Sequence, residues 1–112
     1  MNIGFRTDSS FTIGTGHVHR CLSLARKFKK KNIKCYFFTN DYSGNINELI
    51  RNEFKHFKLS TKLSKNYYSK NQNIIDADST IKFIKKLNID LIFLDSYLID
   101  KNWEKKISKF CK

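Results

Sequence analysis

The sequence predicts an α/β protein in which a parallel β-sheet carries helices on both faces. Strand-like apolar runs alternate with helical periodicity along the chain, the last predicted strand is an almost unbroken apolar run, and polar loops follow the strands. Parallel strands joined by right-handed crossovers end at one edge of the sheet, where ligands of such folds bind. The chain, residues 1–112, is interpreted as a single domain.

The first half predicts two strands and two helices. The runs Asn-Ile-Gly-Phe-Arg and Ile-Lys-Cys-Tyr-Phe-Phe indicate the strands, and an apolar stripe that includes Val18, Cys21 and Ala25 indicates the first helix. The predicted elements are a strand over residues 2–6, a polar loop over 7–16, a helix of about 14 residues from Val18, a strand over 33–38, a turn over 40–44 and a short helix over 45–52.

The second half repeats the pattern. Asp76 stands at the positive end of a helix whose apolar residues recur at helical spacing. The run Ile-Asp-Leu-Ile-Phe-Leu predicts a strand buried on both faces. The predicted elements are a strand over residues 54–59, a surface loop over 60–73, a helix over 76–87, a strand over 89–94 and a closing helix over 100–110.

Composition excludes several classes of protein. The net charge is +12, but lysine greatly outnumbers arginine, so a solvated lysine surface is favoured over a nucleic-acid site. Cys21, Cys35 and Cys111 form no CxxC pair, which predicts reduced thiols without a disulfide or zinc site. No apolar run approaches the roughly 20 residues of a membrane span, and the amino terminus lacks the pattern of a secretory signal. A cytoplasmic location is expected.

The loop after the first strand holds the strongest candidate site. Gly14 and Gly16 let the backbone approach a ligand closely, and His17 follows at the start of a helix, where free N–H groups favour an anion. The third glycine of the dinucleotide fingerprint is missing. Asp95 and Tyr97, just beyond the last strand, are expected at the same edge of the sheet.

The motif around this loop resembles a known family. Arg6-x-Asp8, Gly14-x-Gly16-His17 and Arg20-Cys-Leu, followed by Ala25, are similar to the start of the UDP-diacetamido-trideoxy-altropyranose hydrolases of pseudaminic acid biosynthesis. These hydrolases are relatives of MurG-type glycosyltransferases. A second set of matches consists of Asp76-Ala77, Leu91-Ile-Phe-Leu-Asp95-Ser96-Tyr97 and Trp103-Glu104. Many members have His at the position of Ser96 and often Gly at that of Leu98.

The resemblance implies a fold and a reaction. The fold is the amino-terminal, Rossmann-like half of a glycosyltransferase-B enzyme, whose active site lies between two domains. A carboxyl-terminal domain, absent from this chain or present as a separate partner chain, supplies most contacts to the uridine and diphosphate. The histidine of Gly-x-Gly-His, here His17, is the catalytic residue. The substrate is a UDP-sugar, hydrolysed with inversion to UDP and free sugar, and no metal or cofactor is expected.

Imidazole suits this reaction because it titrates near neutral pH, and UDP is already a good leaving group. Asp8 and Asp95 are candidates to orient the attacking water or the sugar hydroxyls, and Tyr97 to hydrogen-bond the sugar. For Arg20, two interpretations are equally open: a solvated helix residue, or a residue with a structural or phosphate-binding role.

Each assignment has an alternative. His17 is a helix cap on the alternative reading, and Asp8 forms an Asx-turn. Cys21 lies one turn from His17, but core packing is favoured over a Cys–His nucleophile. His19 turns to another helix face, and His56 is interpreted as a surface residue. For the chain as a whole, the alternatives are a glycosyltransferase acceptor domain and a non-catalytic basic binding module.

Overall fold

A parallel sheet of four strands forms the centre of the computed structural model, which describes residues 1–63 and 68–112. The spatial order of the strands is β3-β2-β1-β4, and each neighbouring pair is parallel. The elements are β1 Asn2–Thr7, α1 Gly16–Lys30, β2 Lys34–Asn40, α2 Asn47–Arg51, β3 Lys55–Leu59, α3 Lys70–Leu87, β4 Leu91–Asp95 and α4 Lys101–Ile107. This is the predicted alternation of strands and helices.

The sheet has an apolar core on each face, because successive side chains of a strand point to opposite sides. On one face, Phe5 and Phe37 stack with centroids 4.9 Å apart beneath α1 and α2. On the other face, Phe38 stacks on Phe83 of α3 at 5.5 Å, and Trp103 of α4 completes the same core. Helices therefore cover both faces, as predicted.

The start of α3 differs from the prediction. The helix begins at Lys70 rather than at residue 76, because Ser69 forms a capping box with Gln72. The first two turns are mostly polar, so their periodicity resembles that of a loop. Asp76 consequently lies inside the helix, where it is buried, and not at its positive end. Part of the predicted loop, residues 64–67, lies outside the described residues.

Strand β4 is only half-buried, so the predicted burial of the whole strand is wrong. It is an edge strand: β1 flanks one side, and among the described residues only Lys112 pairs with the other. There Ile92 N donates to the Lys112 carbonyl at 2.6 Å. Other boundaries shift by a few residues: β1 continues to Thr7, β2 continues to Asn40, β4 runs over Leu91–Asp95 and α4 ends at Ile107.

The surface is rich in exposed lysine. Lys29 and Lys30 in the last turn of α1, and Lys82, Lys85 and Lys86 on α3, are all exposed, as the solvated-surface interpretation predicts. Within residues 1–63 and 68–112, no helix has the length and apolar character needed to cross a membrane.

Candidate functional site

Two loops meet at the carboxyl edge of the sheet. Because β1 and β4 are neighbours, Thr7 pairs directly with Asp95, and the loops that follow both residues leave the sheet side by side. The first loop leads into α1, whose second residue is His17. The predicted juxtaposition of the Gly14–Gly16 loop with residues 95–97 is therefore confirmed.

His17 and Asp95 form a hydrogen-bonded pair. The imidazole is 5% exposed, and its Nδ1 contacts Asp95 Oδ1. Arg20, one helical turn after His17, donates to the same carboxylate from Nε at 2.8 Å and from Nη2 at 3.0 Å. Hydrogen bonding from Arg20 lowers the pKa of Asp95 despite its partial burial, with a further contribution from His17. Asp95 is thus ionised at neutral pH.

The carboxylate determines which imidazole nitrogen carries the proton. Arg20 Nη2 also lies 2.9 Å from His17 Nδ1, but Nδ1 cannot accept from Arg20 while it donates to Asp95. We assign the proton to Nδ1, because Arg20 is already satisfied by Asp95 and the ionised carboxylate is an acceptor only. The lone pair then lies on Nε2, which has no hydrogen-bond partner within the described ranges.

Tyr97 flanks this pair. Its ring meets the imidazole of His17 edge-on, with centroids 4.7 Å apart and planes at 80°. The side chain is 90% exposed, so its hydroxyl is open to a ligand. The structure thus brings His17, Arg20, Asp95 and Tyr97 into one cluster.

The glycine loop contributes backbone rather than side chains. Gly14 has a φ of 83°, which favours glycine, and an added Cβ would meet nothing within 4 Å. Its N–H donates to the Ser10 carbonyl at 2.9 Å, which holds the loop in a tight turn. Helix α1 has no side-chain cap and no acidic residue in its first turn. Its amino-terminal N–H groups are therefore available to an anion.

Asp8 lies in a different environment. Its carboxylate is buried, 2.9 Å from the guanidinium of Arg6, and it accepts from the backbone N–H of Asn40 at 2.7 Å. It makes no contact with the His17 cluster among the described residues. The structure therefore does not bring Asp8 together with the other candidate residues.

Sequence reasoning missed the network to which Asp8 belongs. Arg6 is fully buried and donates to both carboxylate oxygens of Asp76, at 2.8 and 2.6 Å. Trp103 Nε1 and the Thr61 hydroxyl also donate to Asp76, at 2.9 and 2.8 Å. The one signal of this network in the sequence is the position of Arg6 within a predicted strand, because a buried cation requires an anionic partner.

The cluster of His17, Arg20, Asp95 and Tyr97 does not include the remaining polar candidates. Burial raises the pKa of the Cys21 thiol to about 12, which favours packing over a nucleophilic role, as expected. His19 is exposed. His56 is not a surface residue as predicted, because it is half-buried and its Nε2 lies 2.5 Å from the Thr39 hydroxyl. No group of three or more potential metal ligands occurs in the part of the chain that is described.

The chain is similar to known proteins both in sequence and in structure. The uncharacterized protein MJ1062 of Methanocaldococcus jannaschii is 32% identical over 113 residues, which covers 100% of this chain and 20% of that protein. MurG of Acinetobacter baumannii superimposes with a TM-score of 0.73 at 11% identity, covering 96% of this chain and 32% of MurG. No family model matches. The likeness to MurG confirms the predicted fold class, and the chain spans about a fifth of MJ1062.

Proposed function

We propose that this chain is the catalytic-histidine domain of an enzyme that hydrolyses a UDP-linked diacetamido-trideoxy sugar to UDP and the free sugar. The observation that carries this proposal is the hydrogen-bonded pair His17–Asp95, which leaves Nε2 free to act as a base at the sheet edge where ligands bind. The likeness to MurG supports a glycosyltransferase-type domain, and the Gly-x-Gly-His motif supports the sugar hydrolase family.

In the proposed reaction, His17 Nε2 takes a proton from water while the water oxygen bonds to the anomeric carbon of the sugar. The bond between that carbon and the phosphate oxygen breaks, and UDP leaves with the electron pair. Attack from the face opposite UDP inverts the anomeric centre. Asp95 holds the imidazole in the required tautomer and stabilises the imidazolium that forms.

The remaining groups have supporting roles in this proposal. The free N–H groups at the start of α1, beside Gly14 and Gly16, face developing negative charge on the leaving phosphate. Arg20 keeps Asp95 ionised and holds its carboxylate in position by hydrogen bonds. Tyr97, which lies against the imidazole, forms a hydrogen bond with the sugar. Asp8 acts through Arg6 by stabilising the end of β1. A second domain, outside residues 1–112, binds the uridine and most of the diphosphate.

The test uses a protein in which this domain is joined to its second domain. His17→Ala is expected to lower the rate of UDP release by about 100- to 10,000-fold, the range typical for loss of a general base. His17→Gln keeps hydrogen bonding but takes no proton, so it is expected to be nearly as inactive. His19→Ala, exposed on another face of α1, is the matched control and should retain its rate.

Substrate affinity, measured separately by calorimetry, should change little because the second domain holds the nucleotide. If His17→Gln keeps most of its rate, His17 binds the substrate rather than acting as the base, and the proposed mechanism is wrong.

A second function is favoured by the likeness to MurG: the chain is the acceptor-binding domain of a glycosyltransferase. His17 would then deprotonate an acceptor hydroxyl instead of water. UDP release that depends on an added acceptor, with little release in water alone, would support this alternative. A third alternative, a non-catalytic basic binding module, is favoured by the net charge of +12 alone; steeply salt-dependent binding to DNA or RNA would support it over a solvated lysine surface.

A further inference from the structure

The outer edge of β4 carries one pair of backbone hydrogen bonds to Lys112. Lys112 N donates to the Asp90 carbonyl at 3.4 Å, and Ile92 N donates to the Lys112 carbonyl at 2.6 Å. Lys112 thus bonds to the residues before and after Leu91, which is the pattern of a parallel ladder. After α4, the chain therefore returns to the sheet and runs in the same direction as β4.

The edge beyond this pair has backbone groups available for more bonds. Ile92 points its N–H outward, so Leu94, two residues further along the strand, points its N–H and carbonyl to the same side. Within residues 1–63 and 68–112, Leu94 makes no backbone hydrogen bond on that side. A strand edge with free donors and acceptors is a template for another strand.

The two edge strands of the sheet differ in composition. Strand β3 carries the exposed residues Lys55 and Lys58, and lysines of this kind protect a terminal edge from further pairing. Strand β4 reads Leu-Ile-Phe-Leu from Leu91 to Leu94, without a charge or a proline, and these side chains are only half-buried. An unbroken apolar run is typical of strands inside a parallel sheet. The sequence of β4 therefore fits a strand with neighbours on both sides.

A cavity of about 280 Å³ lies beside this edge, between β4 and α4. The apolar part of its lining consists of Ile92, Leu94, Trp103, Ile107 and Cys111. In a parallel ladder that continues from Lys112, the first and third residues after it stand beside Ile92 and Leu94, with their side chains on the cavity face. The volume is below the roughly 300–1,000 Å³ of small-molecule sites, so the side chains of a strand fit it better than a separate ligand.

We propose that the free edge of β4 pairs with a fifth parallel strand, formed by the polypeptide that continues from Lys112, and that apolar side chains of this strand fill the cavity beside α4. The occupant is a continuing strand because Lys112 already has the register and direction of its first residue. A parallel strand ends at the carboxyl edge of the sheet, beside Asp95 and Tyr97, so the segment after it borders the candidate site. This inference does not depend on the activity of that site.

Hydrogen exchange followed by NMR tests the pairing in three forms of the protein. The first form is residues 1–112, and the second adds the extension Val-Thr-Val-Thr after Lys112. The third adds Val-Pro-Val-Thr, which removes the N–H that would donate to the Ile92 carbonyl. We expect the amide of Leu94 to exchange at least about fivefold more slowly with the first extension, the factor for one net hydrogen bond. The extension with proline should give little protection.

The amide of Phe93 is the internal control. Phe93 is paired with Phe5 of β1 in all three forms, so the ratio of the Leu94 and Phe93 exchange rates separates pairing at the edge from a change in overall stability. An equal ratio in the three forms would overturn the proposal. Protection of Leu94 that rises with the concentration of the unextended chain would assign the edge to a second copy and contradict a continuing strand.

The two-domain protein gives the same test for the natural sequence that follows Lys112. There the exchange of Leu94 relative to Phe93 should be slower than in the 112-residue chain by a similar factor. An unchanged ratio would show that the natural polypeptide does not occupy the edge, and the proposal would be wrong. UDP release is measured on the same sample. A protected Leu94 without UDP release defeats the hydrolase proposal alone, and UDP release with an unprotected Leu94 defeats the strand alone.

Discussion

At the scale of single residues, the hydrogen bond between His17 and Asp95 decides what His17 can do. The contact between Nδ1 and Asp95 places the free lone pair on Nε2, and without it the two tautomers would compete. Asp95 is in turn held by both the Nε and the Nη2 of Arg20. The sequence left Arg20 open between a solvated helix residue and a structural or phosphate-binding role. In the structure, Arg20 acts on the imidazole through the carboxylate.

We expect Asp95→Asn to lower the rate of UDP release in the two-domain protein by about 100- to 10,000-fold, because the amide can donate to Nδ1 and favour the wrong tautomer. Substrate binding should be nearly unchanged. Asp90→Asn, an exposed carboxylate at the opposite end of β4, is the control. A full rate in Asp95→Asn would show that the tautomer does not limit the reaction.

Arg20→Gln tests the same pair through a titration. Hydrogen bonding from Arg20 is the largest cause of the lowered pKa of Asp95, so its loss should raise that pKa towards the ordinary value of about 3.9. The carboxyl carbon of Asp95, followed by NMR as pH falls, should then titrate at a higher pH than in the wild type. Arg26→Gln removes a surface pair with Glu53 and should not move the midpoint. An unchanged midpoint in Arg20→Gln would contradict the role given to Arg20.

At the scale of elements, Asp76 ties helices α3 and α4 to strand β1. Its carboxylate accepts from Arg6 of β1 and from Trp103 of α4, and all three side chains are buried. Burial, the largest single influence, would raise the pKa of Asp76, but the charge and hydrogen bonds of Arg6 together with the hydrogen bonds from Thr61 and Trp103 outweigh it, and the pKa is lowered. A lowered pKa stabilises the fold above the unfolded value of about 3.9, and this stabilisation is lost as pH falls through the folded pKa.

Asp76→Asn should therefore lower the free energy of unfolding at pH 7 by about 3–5 kcal/mol, the range for breaking a buried ion pair. The difference from wild type should shrink as pH falls below about 4. Urea denaturation at several pH values measures both effects. Asp78→Asn, which removes the exposed pair with Lys106 on the same helix, should cost less than about 1 kcal/mol. Equal effects at the two positions would refute the assigned role of Asp76.

At the scale of the whole molecule, the chain is short relative to the proteins it resembles. It spans 20% of MJ1062 and 32% of MurG. Under the proposed division of labour, the uridine and diphosphate contacts lie in a second domain. We expect the 112-residue chain alone to release UDP from UDP-sugars at a negligible rate, and activity to require the second domain, joined or added. Turnover by the isolated chain equal to that of the two-domain protein would disprove this division.

Much of the fold followed from local patterns. The short apolar runs of β1 and β2 and the apolar stripe of α1 depend only on near neighbours in sequence, and all three elements were predicted to within a few residues. The start of α3 was missed because its first turns carry few apolar residues to reveal a period. The burial of β4 was overestimated because a position at the edge of the sheet is a property of strand order, which periodicity does not contain.

The sequence by itself determined the α/β alternation, the position of His17 after Gly14 and Gly16, and the placement of both loops at one edge of the sheet, which parallel connectivity requires. That the two loops are neighbours depends on the strand order, which places β1 beside β4. Only the tertiary structure decided the ionic partners. Asp8 and Asp95 both follow strands and look alike in sequence, yet Asp8 pairs with buried Arg6, whereas Asp95 contacts His17, a residue 78 positions away. Charged side chains interact over a few ångströms, and such distances between remote segments arise only when the chain is packed.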